Sequence, residues 1–103
     1  MAELTVIWWR AIPAQVVARE GRTTARAQLT SRFQEAIDMA ATRVGLIGTD
    51  DYLKEWHRET RPCGDDLDAE ATAEGERLEQ AYSDTALETL VRAGGLVDEG
   101  GPA

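Results

Sequence analysis

Cysteine is almost missing from this sequence: Cys63 is the only one among 103 residues. That rules out an internal disulfide and sets the expectation of a reducing, cytoplasmic compartment. Histidine is as scarce, with His57 alone, so neither a paired C-x-x-C nor an H-x-x-x-H zinc spacing can be written, and no metal site is expected. No apolar run approaches the roughly 18 consecutive residues of a membrane span. The longest near the start, Val6-Ile7-Trp8-Trp9, is bounded by Thr5 and Arg10, and the first ten residues lack the basic start and apolar stretch of a secretory signal. Gly45, Gly48, Gly64, Gly94 and Gly95 compose neither G-x-G-x-x-G nor G-x-x-x-x-G-K-[ST], which removes the known phosphate cradles and with them any expected nucleotide cofactor. No G-x-S-x-G elbow exists, and Ser31 and Ser83 read more simply as helix caps than as nucleophiles.

Positive charge is the other shortage. Eleven Lys and Arg against nineteen Asp and Glu leave a formal net charge of −8, a field that repels phosphate backbones and anionic lipid, so neither nucleic acid nor membrane is expected as a partner. The shortage is uneven: residues 1–49 hold six basic and four acidic side chains, residues 50–103 five and fifteen. An acidic half beside a mildly basic one reads first as an ordinary solvated face and second as a field that steers a cationic partner. What is present, 43% hydrophobic and 29% charged, is the composition of one globular domain able to form a core without metal or disulfide.

Leu4 to Arg10 is β-branched and aromatic and predicts a strand ended by Pro13. Ala14 to Ala18 predicts a second strand, and Thr23 to Leu29, alternating with period two, a third; the turn at Gly21 joins these two in a hairpin. Phe33, Ile37, Ala40, Ala41 and Val44 fall on one helical stripe, with Thr30 or Ser31 as cap, Gln34 completing a capping box and Gly45-Leu46 as the stop. Asp50 to Trp56 predicts a short helix burying Tyr52, Leu53 and Trp56, and Trp56 to Arg61 an added strand that Pro62 keeps from a central position. A further helix runs from Asp65, its cap, to Tyr82 and is weakened at Gly75; another starts at Ser83 and stops at Gly94-Gly95. Strands first and helices later predict an α+β fold: a small antiparallel sheet of three to four strands with helices packed mainly on one face. The domain spans residues 1–95, and 96–103, rich in glycine and acid, read as a flexible tail.

Two clusters are candidates for chemistry. Cys63 stands in Arg61-Pro62-Cys63-Gly64-Asp65, just before a predicted helix whose dipole would favour a thiolate. Asp65 and Asp66 oppose that ionisation, and His57 has no assured proximity to act as its base, so a packed structural cysteine is the plainer reading. Asp65, Asp66 and Asp68 lack the glycine and the closing glutamate of a calcium loop and are explained as helix-start acids. The other cluster is aromatic. Neighbouring residues on a strand point to opposite faces, so Trp8 and Trp9 cannot both enter one core. Either the outer ring, with Arg10 and with Arg26 or Gln28 beside it, forms an aromatic and cationic docking patch, or the Ile12-Pro13 loop or the Trp56 segment folds over it.

Thr5 through Val16, the stretch Arg32-Phe33-Gln34-Glu35-Ala36-Ile37-Asp38 and the segment Pro62-Cys63-Gly64-Asp65-Asp66-Leu67 together resemble the small bacterial "virulence factor" family, in its short alphaproteobacterial form, over nearly the whole chain. The family's W-R-x-I-P-A-Q-V element is matched by Trp9, Arg10, Ile12, Pro13, Ala14, Gln15 and Val16; Trp8 stands where the family has Tyr, and Ala11 where an acid often follows the Arg. The resemblance carries no catalytic residue to any position here. Related domains beside helical-repeat modules imply a non-catalytic protein-interaction role, with the partner bound through the aromatic face of the first strand. Short members resemble neighbours of folate- and corrinoid-dependent one-carbon enzymes, which implies an accessory subunit as the alternative. A thiol-dependent enzyme centred on Cys63 is the third reading.

Overall fold

The computed structural model describes residues 1–96. Its strands are β1 (Glu3–Trp9), β2 (Ile12–Glu20), β3 (Thr23–Gln28) and β4 (Trp56–Pro62), all antiparallel, in the order β3-β2-β1-β4. Its helices are α1 (Ser31–Arg43), α2 (Asp50–Lys54), α3 (Leu67–Ala81) and α4 (Asp84–Arg92). This is the α+β fold the sequence predicts, with β4 at the sheet edge, where Pro62 forfeits no ladder bond. Of the predicted tail only Leu96 is described; residues 97–103 lie outside the described residues. No helix among the described residues is long and apolar enough to cross a membrane.

Strand alternation sorts the sheet into two faces. Leu4 and Val6 of β1 pair with Ala18 and Val16 of β2 on the buried side, while Thr5 and Ile7, beside Val17 and Gln15, turn the other way. Helix α3 lies across β2 and β3, α1 rests on β2, and α4 packs against α1. Phe33, Ile37 and Leu78 fill the space between the layers, each at 1% exposure or less, so the α1 stripe read from the sequence is the stripe that docks.

Four local expectations are corrected. Pro13 does not end β1; it lies inside β2, opposite Trp8, at a register shift that pairs Ile7 with Gln15 and leaves Ala14 as the extra residue of a bulge. A bulge beyond the reach of β3 is a place where a missing N–H is harmless. Thr30 is the N-cap residue of α1, but its side chain makes no cap bond; its N–H and hydroxyl both donate to the Glu79 carboxylate of α3, at 2.6 and 3.0 Å. Asp66 rather than Asp65 caps α3, accepting from the Ala69 N–H. Leu53 is 66% exposed, because α2 is too short to turn both Tyr52 and Leu53 inward.

Gly75, read from the sequence as a weak point, is buried where α3 lies close against β3. The helix runs unbroken through it, and a Cβ there would lie 3.3 Å from the Ala27 methyl of β3. Gly75→Val is expected to lower stability by about 1–3 kcal/mol through overpacking against β3. Glu76→Ala, on the exposed side of the same turn, should stay within about 0.5 kcal/mol, both read from urea midpoints.

Candidate functional site

Trp9 is completely buried. Its indole N–H donates to the Tyr52 carbonyl at 3.0 Å, the Tyr52 ring lies 5.7 Å away, and Trp56 is its cross-strand neighbour. Gly95, after α4, approaches the indole so closely that a Cβ there would come within 2.8 Å of Cζ3. Helix α2, the start of β4 and the chain following α4 therefore close over this end of the sheet, so an outward-facing Trp9 is corrected.

Arg10 serves the same closure. It occupies the β1–β2 turn at φ 53°, in the left-handed region usually left to glycine. Its guanidinium donates to the Gly94 carbonyl at 2.9 Å and to Glu55 Oε2 at 3.1 Å, and lies over the Trp9 ring. With its backbone N–H on the Glu55 carbonyl and the Ala11 N–H on the Gly95 carbonyl, the turn fastens α2 and α4 to the sheet. At 13% exposure the Arg10 side chain is held inside the protein, so its placement in an open patch is corrected as well. Trp8 is half-buried on the helix side, edge-on to Tyr82 and stacked on His57, whose Nε2 donates to the Arg10 carbonyl at 2.8 Å.

The face away from the helices is open. Ile7, Val17, Thr5 and Gln15 form its half-buried middle, and Arg19, Arg26 and Arg58 stand exposed around them. The strand register places these side chains in rows. Arg26, Val17, Thr5 and Thr60 lie side by side across the four strands, and Gln28, Gln15, Ile7 and Arg58 form the next row. Thr5 and Thr60 share a hydroxyl hydrogen bond of 2.9 Å. A cavity of about 180 Å³ lies over this middle. Of the residues picked from the sequence for docking, Arg26 and Gln28 are on this face, and Trp8, Trp9 and Arg10 are not available on it. The sequence reading missed Ile7, Val17, Arg19 and Arg58; the signal that finds them is alternation, which sends Thr5 and Ile7 opposite to Leu4 and Val6.

Two ionisable groups lie on the helix side of β4. Glu74, 5% exposed on α3, accepts from Arg77 Nε at 2.9 Å and from Arg61 Nη2 at 3.1 Å, and also pairs with Arg77 Nη2. Hydrogen bonding from Arg77 holds its carboxyl below the usual range although burial pushes the other way, with the charges of Arg77 and Arg61 adding to the lowering. Cys63 is half-buried, its N–H continuing the ladder to the Ala2 carbonyl. Desolvation pushes its thiol up, and Glu70 adds to that rise. His57 stands six residues away at the other end of extended β4, about 20 Å at strand rise, so the structure does not bring a base to the sulfur. A second concavity, of about 570 Å³, lies between α1 and α4, with Met39, Leu87 and Val91 in its lining.

A four-stranded antiparallel sheet covered by helices on one side, and closed at one end by an Arg-centred turn, defines a small α+β domain with one open face. The chain belongs to the family described as "Virulence factor", whose model matches residues 7–91. The match includes the W-R-x-I-P-A-Q-V element, whose Trp9, Arg10, Ile12 and Pro13 form or border the closed end described above. No curated protein and no solved structure matches the chain.

Two outcomes are expected. The lowered Glu74 carboxyl contributes stability in full above the ordinary carboxylate pKa and loses it as pH falls through the lower folded value. Glu74→Gln should therefore lower stability by about 1–2 kcal/mol at neutral pH, and the gap from the parent should close as pH falls below about 4.5. For Cys63, iodoacetamide alkylation followed against pH should give a midpoint above about 8.5; a midpoint below neutrality would reinstate the thiol enzyme.

Proposed function

We propose that this domain is a non-catalytic, cytoplasmic protein-interaction module whose docking surface is the open face of the sheet. The observation that carries this reading is a half-buried apolar pair, Ile7 and Val17, on a sheet face that no helix among the described residues covers and that Arg26 and Gln28 border. Apolar side chains framed by hydrogen-bond donors are what a partner's side chains dock against, and arginine is enriched at such places. The raised thiol of Cys63 supports the non-catalytic part of the reading, since a nucleophilic cysteine needs the opposite shift. The acidic helix α3 packs on the far side, across β2 and β3, so its charge orients the approach without touching the partner.

The test compares faces. Val17→Lys and Ile7→Lys place a charge on the open side and should leave the circular dichroism spectrum unchanged. Each should reduce recovery of the native partner from lysate by tenfold or more. Met39→Lys, in the groove between α1 and α4, should leave recovery intact. Loss with Met39→Lys and retention with Val17→Lys would move the interface to the helices and sink this reading.

A further inference from the structure

The open face is positively charged in a strongly negative protein. Arg19, Arg26 and Arg58 line its cavity together with a single carboxylate, Glu3, whereas the chain as a whole carries −8. None of the three arginines is ion-paired among the described residues, although Arg10, Arg32, Arg61 and Arg77 all are. Arginines that hold the fold together have carboxylates; the three on the open face have none among the described residues, and all three line its cavity.

Their spacing adds information. Arg26 is on β3 and Arg58 on β4, at opposite margins of the sheet with β2 and β1 between them. Three inter-strand steps, with the two residues in adjacent rows, separate Arg26 and Arg58 by about 16 Å at the backbone, a gap their long side chains can shorten. The middle columns present Val17 and Ile7. In an extended peptide, residues i, i+2 and i+4 point to one side, and i and i+4 are about 13 Å apart.

Resting on the docking face proposed above, we infer that its occupant is an acidic extended protein segment of the pattern acid-x-apolar-x-acid. The outer carboxylates meet Arg26 and Arg58, and the apolar side chain between them seats on Val17 and Ile7. Arg19, diagonal to Arg26 in the register, reinforces that margin. Thr5, Thr24 and Gln15 in the same cavity supply further hydrogen-bond donors for carboxylate or backbone oxygens. A nucleic acid fits less well, because a long phosphate backbone would run past three arginines into a field of net −8, and the apolar centre offers it nothing.

The experiment is a nuclear magnetic resonance titration of the full chain with synthetic nine-residue peptides at low salt. The acidic probe carries Glu-Ser-Leu-Ser-Glu between glycine-serine flanks, and its neutral twin has Gln at both ends. A twelve-nucleotide oligo-dT is the third probe. Binding of the acidic peptide should shift the amides of Thr5, Ile7, Gln15, Val17 and Arg26. It should exceed binding of the neutral twin by fivefold or more and weaken as salt is raised. Arg26→Gln and Arg58→Gln, both exposed and outside the core, should each weaken it about threefold, and Arg22→Gln, in the β2–β3 turn, should not. Equal binding of both peptides on these same amides would overturn the acidic partner while leaving the docking face standing. Shifts confined to α1 and α4 would overturn both. No peptide binding, or tighter binding by the oligonucleotide, would overturn the proposed segment.

Discussion

The enclosure of Trp9 is the constraint on which the rest of the structure depends. A fully buried indole needs an acceptor for its N–H and cover for its ring, and here these come from two distant stretches of chain: Tyr52, which supplies both its carbonyl and its ring, and Gly95. Arg10 then fastens those stretches, accepting an unfavourable backbone conformation in exchange for bonds to Gly94 and Glu55. Because α2 and the end of α4 are held there, the sheet is closed at one end. Farther along, none of the described residues covers Thr5, Ile7, Gln15 and Val17, and the open face exists because that closure stops where it does.

The sequence motif and the surface thus have separate duties. The Trp9–Arg10 pair, inside the stretch that matches the family, is a structural fastening, and an exposed docking role for it does not survive its burial. The face open to a partner is instead made of residues that look unremarkable in the sequence, a valine, an isoleucine, two threonines and scattered arginines. Their significance lies in register, which gathers Arg26, Val17, Thr5 and Thr60 from four separate strands into one row.

The elements themselves were legible because each left a periodic trace. The Phe33, Ile37, Ala40 and Ala41 stripe, the Gly45 stop and the alternation along β3 correspond closely to the observed α1 and the β2–β3 hairpin. What was illegible was tertiary. Glu74 sits on the same stripe as Leu67, Ala71 and Leu78, yet a glutamate in a helix reads as solvated until Arg61 and Arg77 are seen around it. Pro13 reads as a strand end unless the neighbouring strand is known to have already finished. The covering of Trp9 by a glycine near the other end of the described chain has no local signature at all.

That last contact bears on how the molecule is made. Arg10 and the Gly94 carbonyl are 84 positions apart, so the bond closes one of the longest loops available to the described chain. During synthesis, β1 and β2 leave the ribosome with the Trp9 indole still unroofed, and it stays so until the glycines after α4 have emerged. The hairpin can pair early, but its hydrophobic end can be sealed only late, which leaves a nascent chain with a sticky terminus for most of its translation and makes that interval the natural point of attention for chaperones.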